Sequence, residues 1–319
     1  MAVPGNTIQA VGRVGVREDL ADKIYELFPD DTPFTSNIGR GTASSTYTEW
    51  QTDVLSSASA TNAAVQGDDT PNSNRPNTTR VGTYTQISTK VVSVSTTVEA
   101  VNKAGRRSEL AREIMKAGRE MNTDIELRAT GNYASVAPTA SVAGLTAGAL
   151  AWLTTNVNRG ATGASGGFSA GLVAAATNGT LRTYTETLLK DVLQKTWASG
   201  GNPKMVIMSG PLKQTSSTFA GIAQQRHEVG DRGQAKIIAG ADVYVGDFGQ
   251  VQFVPSRFTS GRDAFVVDPQ YWDIADLDGL VVEDLAKTGL AKRKLMRREW
   301  ALRCKNQAAS GVVADVQAA

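Results

Sequence analysis

The sequence predicts an α+β protein with strands toward both ends of the chain, and three observations carry that prediction. Two segments rich in Thr, Val, Tyr and Ile, 42–55 and 79–94, flank a polar tip. A long charged helix with one apolar stripe follows them. A helix–strand–helix pattern then leads into a further set of strands.

The 319 residues set a prior of about two domains, and 41% apolar with 20% charged residues places the chain among globular proteins. A net charge of +2 removes any bulk electrostatic case for nucleic-acid binding, so basic patches must be judged locally. The single cysteine, Cys304, excludes an intrachain disulfide and reads as a small buried hydrophobe made in a reducing compartment. The start "MAVPGNTIQAVGRVGVREDL" lacks the pattern of a signal peptide. No window nears the roughly 18 apolar residues of a membrane span. A soluble, cytosolically made protein is expected.

Residues 1–38 read as an arm. In "REDLADKIYELF", Leu20, Ile24 and Leu27–Phe28 have helical spacing, and Pro29 and Pro33 end the helix. The 42–55 and 79–94 strands form a long hairpin around a tip carrying Gly67, Pro71 and Pro76. At about 3.3 Å per residue the first strand alone reaches about 46 Å. Tyr47 shares its side with Ser45, Glu49, Gln51 and Asp53, so neither strand has an apolar face. A two-stranded ribbon of this kind does not hold its shape alone, and something else must cover it.

Residues 95–132 predict one long helix of about 45 Å, with Thr96 and Glu99 as a capping box. Leu110, Ile114, Ala117, Met121 and Ile125 form its stripe, Gly105 and Gly118 are points of bending, and Gly131 closes it. Residues 138–180 are low in complexity, and brief order is expected around Leu145–Leu153. Helix 183–201 turns Leu188, Leu189, Val192, Leu193 and Trp197 inward. A buried strand, 204–209, and a helix opened by Pro211 follow. Strands are then expected at 241–247, 251–255 and 263–268, and 271–287 leads into the last pair. In "AKRKLMRREWALRCKNQAASGVV" (291–313), Met296, Trp300, Leu302 and Cys304 alternate with Arg297, Glu299, Arg303 and Lys305, which is one buried and one charged face.

The residues for catalysis are sparse. His227 is the only histidine and lies in a polar loop, so Ser-His-Asp and Cys-His arrangements and the usual zinc sets lack members. "DLDG" at 276–279 begins like a calcium loop without its closing Glu, and a turn between strands is the better reading. "GATGASGGFSAG" at 160–171 invites a phosphate-loop reading but lacks the Gly-Lys-Ser/Thr ending, so it reads as a flexible insertion. The basic runs 103–107 and 291–298 have compensating acids or few aromatics, which favours solvated or intersubunit charge faces over nucleic acid. Asp53, Asp68, Asp69 and the arm's Glu18, Asp19 and Asp22 are acids that could meet them. No cofactor or metal is expected. An enzyme or small-ligand binder built on the α/β unit is disfavoured, because suitable polar groups do not cluster at strand ends.

The order of elements, with "AGRRSELAREIMKAGREMNTDIE", "TLLKDVLQKTWASGGNPKMVIMSGPLKQTSSTF" and "FVVDPQYWDIADLDGLVVEDLAK…REWALRCKNQAASGVV", resembles the major capsid proteins of tailed phages, the Hong Kong 97 fold. The resemblance implies an N-terminal arm (1–38), an extended loop (39–94), a peripheral domain with a spine helix (95–180), an axial domain (181–269) and returning peripheral strands (270–319). It implies hexamers and pentamers that close into an icosahedral shell. Double-stranded DNA is packaged inside and touched without specificity, and no membrane is involved. Assembly is expected in the host cytoplasm, with scaffolding, portal and decoration proteins as further partners. With 38 residues before the hairpin, scaffolding is expected from a separate protein. Intersubunit contacts are expected at Trp50, Asp53, Asp68, Asp69, Arg75, Arg80, Arg106, Arg107, Arg297, Arg303 and Lys305, the 297–305 face meeting a neighbour's arm or hairpin. An encapsulin-like compartment enclosing a cargo enzyme is the alternative with the same fold.

Overall fold

Two sheets organise the chain. The structure is a computed structural model describing residues 26–67, 69, 75, 77–219, 243–287 and 289–318. The expected helix through residues 17–25, together with Asp68 and His227, lies outside the described residues.

The first sheet has four strands in the order Gly39–Thr42, Trp272–Asp284, Ala291–Cys304 and Gln86–Ser95. The first pair is parallel and the others are antiparallel. The second has six, in the order Val243–Gly246, Gly249–Pro255, Met205–Met208, Asp263–Val267, Gly311–Ala314 and Val157–Asn158. Its central strands feed two cores by strict alternation. Met205, Ile207, Phe265, Val267, Val312 and Ala314 point to one core, with Met121, Ile125, Trp272, Trp300 and Leu302. Val206, Met208, Ala264, Val266 and Val313 point to the other, against Leu189, Val192 and Leu212. Burial on both faces explains why these strands read as continuous apolar runs. The sheet takes Gly311–Ala314 and Val157–Asn158 from outside the 181–269 stretch, and Val316–Gln317 pairs with Arg182–Thr183.

The predicted long helix is two helices. Thr96–Ala100 is capped by Ser95, not Thr96, and Glu109–Thr130 is capped by Ser108, whose hydroxyl accepts the Ala111 N–H. Gly105 sits between them at φ 71°, a conformation open to glycine. Glu99 turns outward from the expected box. It accepts the Ser108 hydroxyl (2.6 Å) and the Glu109 N–H (3.1 Å), which ties the two helices across the break. The 22-residue helix spans about 33 Å and buries Ala117, Met121 and Ile125 of the predicted stripe.

The hairpin is also shorter than expected. Only Tyr47–Thr52 and Thr79–Tyr84 pair with each other. Gln86–Ser95 leaves that ribbon and joins Ala291–Cys304 instead. The base has an apolar side after all, since Trp50 and Val81 face each other and pack on the first core. The "DLDG" segment is no turn. It lies within Trp272–Asp284, where register shifts around Asp278 absorb the extra residues while pairing continues on both sides. Trp197 is 59% exposed rather than inward, because Leu189, Val192, Leu193 and Thr196 already fill the inner face of helix Glu186–Ala198. It rests on Phe248, with ring centroids 5.3 Å apart. Pro33 opens a short helix, Pro33–Asn37, instead of ending one.

That short helix is anchored by a residue sequence patterning missed. Glu126 is fully buried on the long helix and accepts the N–H groups of Phe34 and Thr35, each at 2.8 Å. Burial pushes its carboxyl up, against those two donors and Arg40, which pull it down. Phe34 meets Phe265 and Trp272 at 5.5 and 5.8 Å between centroids, so one arm residue touches both sheets.

Candidate functional site

The charged face of Ala291–Cys304 has its partners in the same chain. Cross-strand register sets Arg303 opposite Asp273. The guanidinium grips that carboxylate with two bonds of 2.7 and 2.8 Å, and Asp273 is 4% exposed. Lys305 adds a 3.5 Å contact to the same acid. Arg298 holds Asp276 in the same two-pronged way, at 2.8 and 2.9 Å. Arg297 pairs with Asp278 and, at 2.9 Å, with Glu283, and Lys294 reaches Asp284 at 3.1 Å. One strand carries the acids and its neighbour the bases, a ladder of opposite-charge cross-strand pairs. Planar, bidentate arginine contacts make the Arg303 and Arg298 rungs the strong ones.

Several residues expected at subunit contacts are therefore used inside the subunit. Trp50 is half-buried, donates its indole N–H to the Cys304 carbonyl (2.9 Å) and tilts against Trp152 at 5.5 Å. Arg80 pairs with Glu49 across the hairpin, and Arg106 with Glu109 at the helix start. Asp53, Asp69, Arg75 and Arg107 are exposed and have no ion-pair partner among the described residues. Cys304 is buried as expected, and burial pushes its thiol well up.

The hairpin is held firmly at its base. Tyr47 donates its hydroxyl hydrogen to the Gly171 carbonyl (2.9 Å) and tilts against Tyr84, with centroids 4.6 Å apart. Beyond Thr52, residues 53–67 are exposed throughout, with Val54 at 69% and Leu55 at 99%. At its Gln86–Ser95 edge the four-stranded sheet is likewise left open on one side by the described residues. Its other side lies under the long helix, where Lys90 reaches Asp124 (2.7 Å) and Met296 is buried. The bare side aligns Ile87 and Val91, 61% and 52% exposed, with Glu299 and Leu295 on the next strand. Among the described residues, no helix is long and apolar enough to cross a membrane.

The comparisons with known proteins agree with this geometry. The family model described as SU10 major capsid protein matches residues 3–317. A curated major capsid protein of Escherichia phage Phieco32 is 37% identical over 112 residues, covering 35% of this chain and 32% of that protein. That match therefore spans about a third of the relative's length. Among solved structures, the capsid asymmetric unit of cyanophage A-1(L) aligns with a TM-score of 0.67 at 11% identity, over 94% of this chain and 97% of that one. The capsid of a native GTA particle aligns with a TM-score of 0.60 at 12% identity, over 97% and 98%. The SrpI encapsulin of Synechococcus elongatus PCC 7942 aligns with a TM-score of 0.52 at 11% identity, over 92% of each. The architecture is the Hong Kong 97 capsid fold, and the chain belongs to the SU10 major capsid protein family.

Proposed function

We propose that this chain is the non-catalytic building block of a phage head, gathering as hexamers and pentamers that close into an icosahedral shell around double-stranded DNA. One observation carries the reading: a ribbon rooted by Tyr47 and Trp50 ends in a tip, residues 53–67, that is exposed throughout. Exposed apolar residues such as Leu55 on a protruding loop, with Ile87 and Val91 on an open sheet edge, mark association surfaces. The tip of one copy lies across a neighbour. Asp53, Asp69, Arg75 and Arg107, which lack partners within the described chain, are the first charges to bridge copies, and Asp68 belongs with them.

In this reading residues 1–38 are the arm, 39–94 the extended loop, 95–180 and 270–319 the peripheral domain and 181–269 the axial domain, whose sheet is completed by strands 157–158 and 311–314. The virion is the location, with assembly in the host cytoplasm beside scaffolding, portal and decoration proteins, and DNA touched without sequence preference. The test is deletion of residues 56–78. Electron microscopy is expected to show particles lost while circular dichroism shows the subunit still folded. Normal particles from the shortened chain would overturn the placement of the tip. Purified particles holding nucleic acid support the head, and particles holding a cargo protein instead support a compartment.

A further inference from the structure

The glycine-rich stretch 160–171, which resembles a phosphate loop in composition, borders a cradle that holds an anion belonging to the chain itself. Asp315 is fully buried at φ 58°, in the left-handed region that, after glycine, asparagine and aspartate enter most readily. Its carboxylate accepts the Gly179 N–H at 2.8 Å, an Arg262 N–H at 2.7 Å and the Gly160 N–H at 3.2 Å. Glycine is required close by: a Cβ on Gly163 would stand 2.9 Å from an Asp315 oxygen.

The segment that Asp315 pins is central to the fold. Gly311–Ala314 inserts between Asp263–Val267 and Val157–Asn158. Val316–Gln317 then pairs with Arg182–Thr183. Val312 and Ala314 fill one core, while Val313 and Val316 fill the other. Synthesis runs from the N-terminus, so residues 311–317 emerge after every other strand of this sheet. Until they dock, Asp263–Val267 has a bare edge, and both cores lack a wall.

We propose that residues 311–317, latched by Asp315 in the glycine cradle, act as an assembly licence: the six-stranded sheet closes only when they dock, and a chain without them does not enter a shell. The latch stands on the geometry, and only the licence rests on the shell reading above.

Hydrogen exchange on the full chain tests the latch. Asp315→Gly removes the carboxylate and leaves the left-handed backbone unstrained. Exchange at Val312–Ala314 and Ala264–Val266 is expected to accelerate by about tenfold or more, the scale of losing charge-assisted hydrogen bonds. Exchange across Trp272–Asp284 and Ala291–Cys304 is expected to stay unchanged. Asp315→Asn, which keeps the shape without the charge, is expected to fall between. Equal acceleration in both sheets, or none in either, overturns the latch. For the licence, a chain ending at Ser310 is expected to form no particles until a synthetic 310–319 peptide is added. Particles without the peptide, or none with it, overturn the licence. Failure of the unaltered chain to form particles at all would count against the shell reading instead.

Discussion

The central strands of the six-stranded sheet are buried on both faces and the Gln86–Ser95 edge of the four-stranded sheet on only one, and the two carry different kinds of information. Every residue of Met205–Met208, Asp263–Val267 and Gly311–Ala314 is buried, so these strands need nothing beyond their own chain. Gln86–Ser95 alternates between shielded and exposed positions, with Ile87, Thr89, Val91 and Ser93 open to solvent. The six-stranded sheet explains why a subunit folds. The open edge of the four-stranded sheet, with the tip beyond Thr52, is the surface that a solitary subunit leaves exposed.

Substitutions sharpen that contrast. Phe265→Ala, in the two-sided sheet, removes a ring packed on Phe34 and Trp272 and is expected to cost about 3–5 kcal/mol, read from the denaturant midpoint of the subunit. A loss below about 1 kcal/mol would show that this core relaxes freely. Within the four-stranded sheet, two rungs of the charge ladder are expected to differ. Arg303→Ala strands the nearly buried Asp273 and is expected to cost about 2 kcal/mol, less than the roughly 3–5 of a fully buried pair because the arginine keeps some solvent. Arg297→Ala loses more exposed partners and is expected to cost under about 1 kcal/mol. Equal losses would mean burial does not grade the ladder.

A pH scan separates the arm's anchor from both sheets. The Glu126 carboxyl titrates above the ordinary glutamate value of about 4.3 because it is buried. Its contribution to stability is therefore whole below that value and is lost as pH rises through the raised one. Glu126→Gln is expected to remove this part of the slope above the ordinary glutamate value, while an unchanged slope would assign it to other groups. The smallest effect on the subunit is expected from Ile87→Ala, within about 0.5 kcal/mol. Its consequence is expected in particle yield, and a yield equal to that of the unaltered chain would show that the open face stays bare in the shell.

Local signals in the sequence were sufficient wherever structure is made by neighbours. Helix Glu186–Ala198, strand Met205–Met208 and the helix begun at Pro211 follow from period, length and a proline at the first turn. The alternation of Met296, Trp300, Leu302 and Cys304 also marks the buried face correctly. What escaped is long-range. The parallel pairing of Gly39–Thr42 with Trp272–Asp284 joins residues far apart in the chain, and Glu126 meets Phe34 across 92 positions. No pattern within either segment announces the other. The same holds for the surface. Arg297 and Arg303 are visible as a charged face, but their acids Asp273, Asp278 and Glu283 sit on a strand interrupted by what reads locally as a turn.

The ladder has a bearing on ionic strength. The chain holds 33 basic and 31 acidic residues, yet on the strand pair 272–284 and 291–304 many of them are matched at contact distance, some with little water between them. Dissolved ions weaken separated, wet charges far more than such contacts. Particles made from this protein should therefore tolerate concentrated salt better than its count of charges suggests, and their sensitivity should be sought first at exposed groups without an ion pair among the described residues, such as Asp53, Asp69 and Arg107.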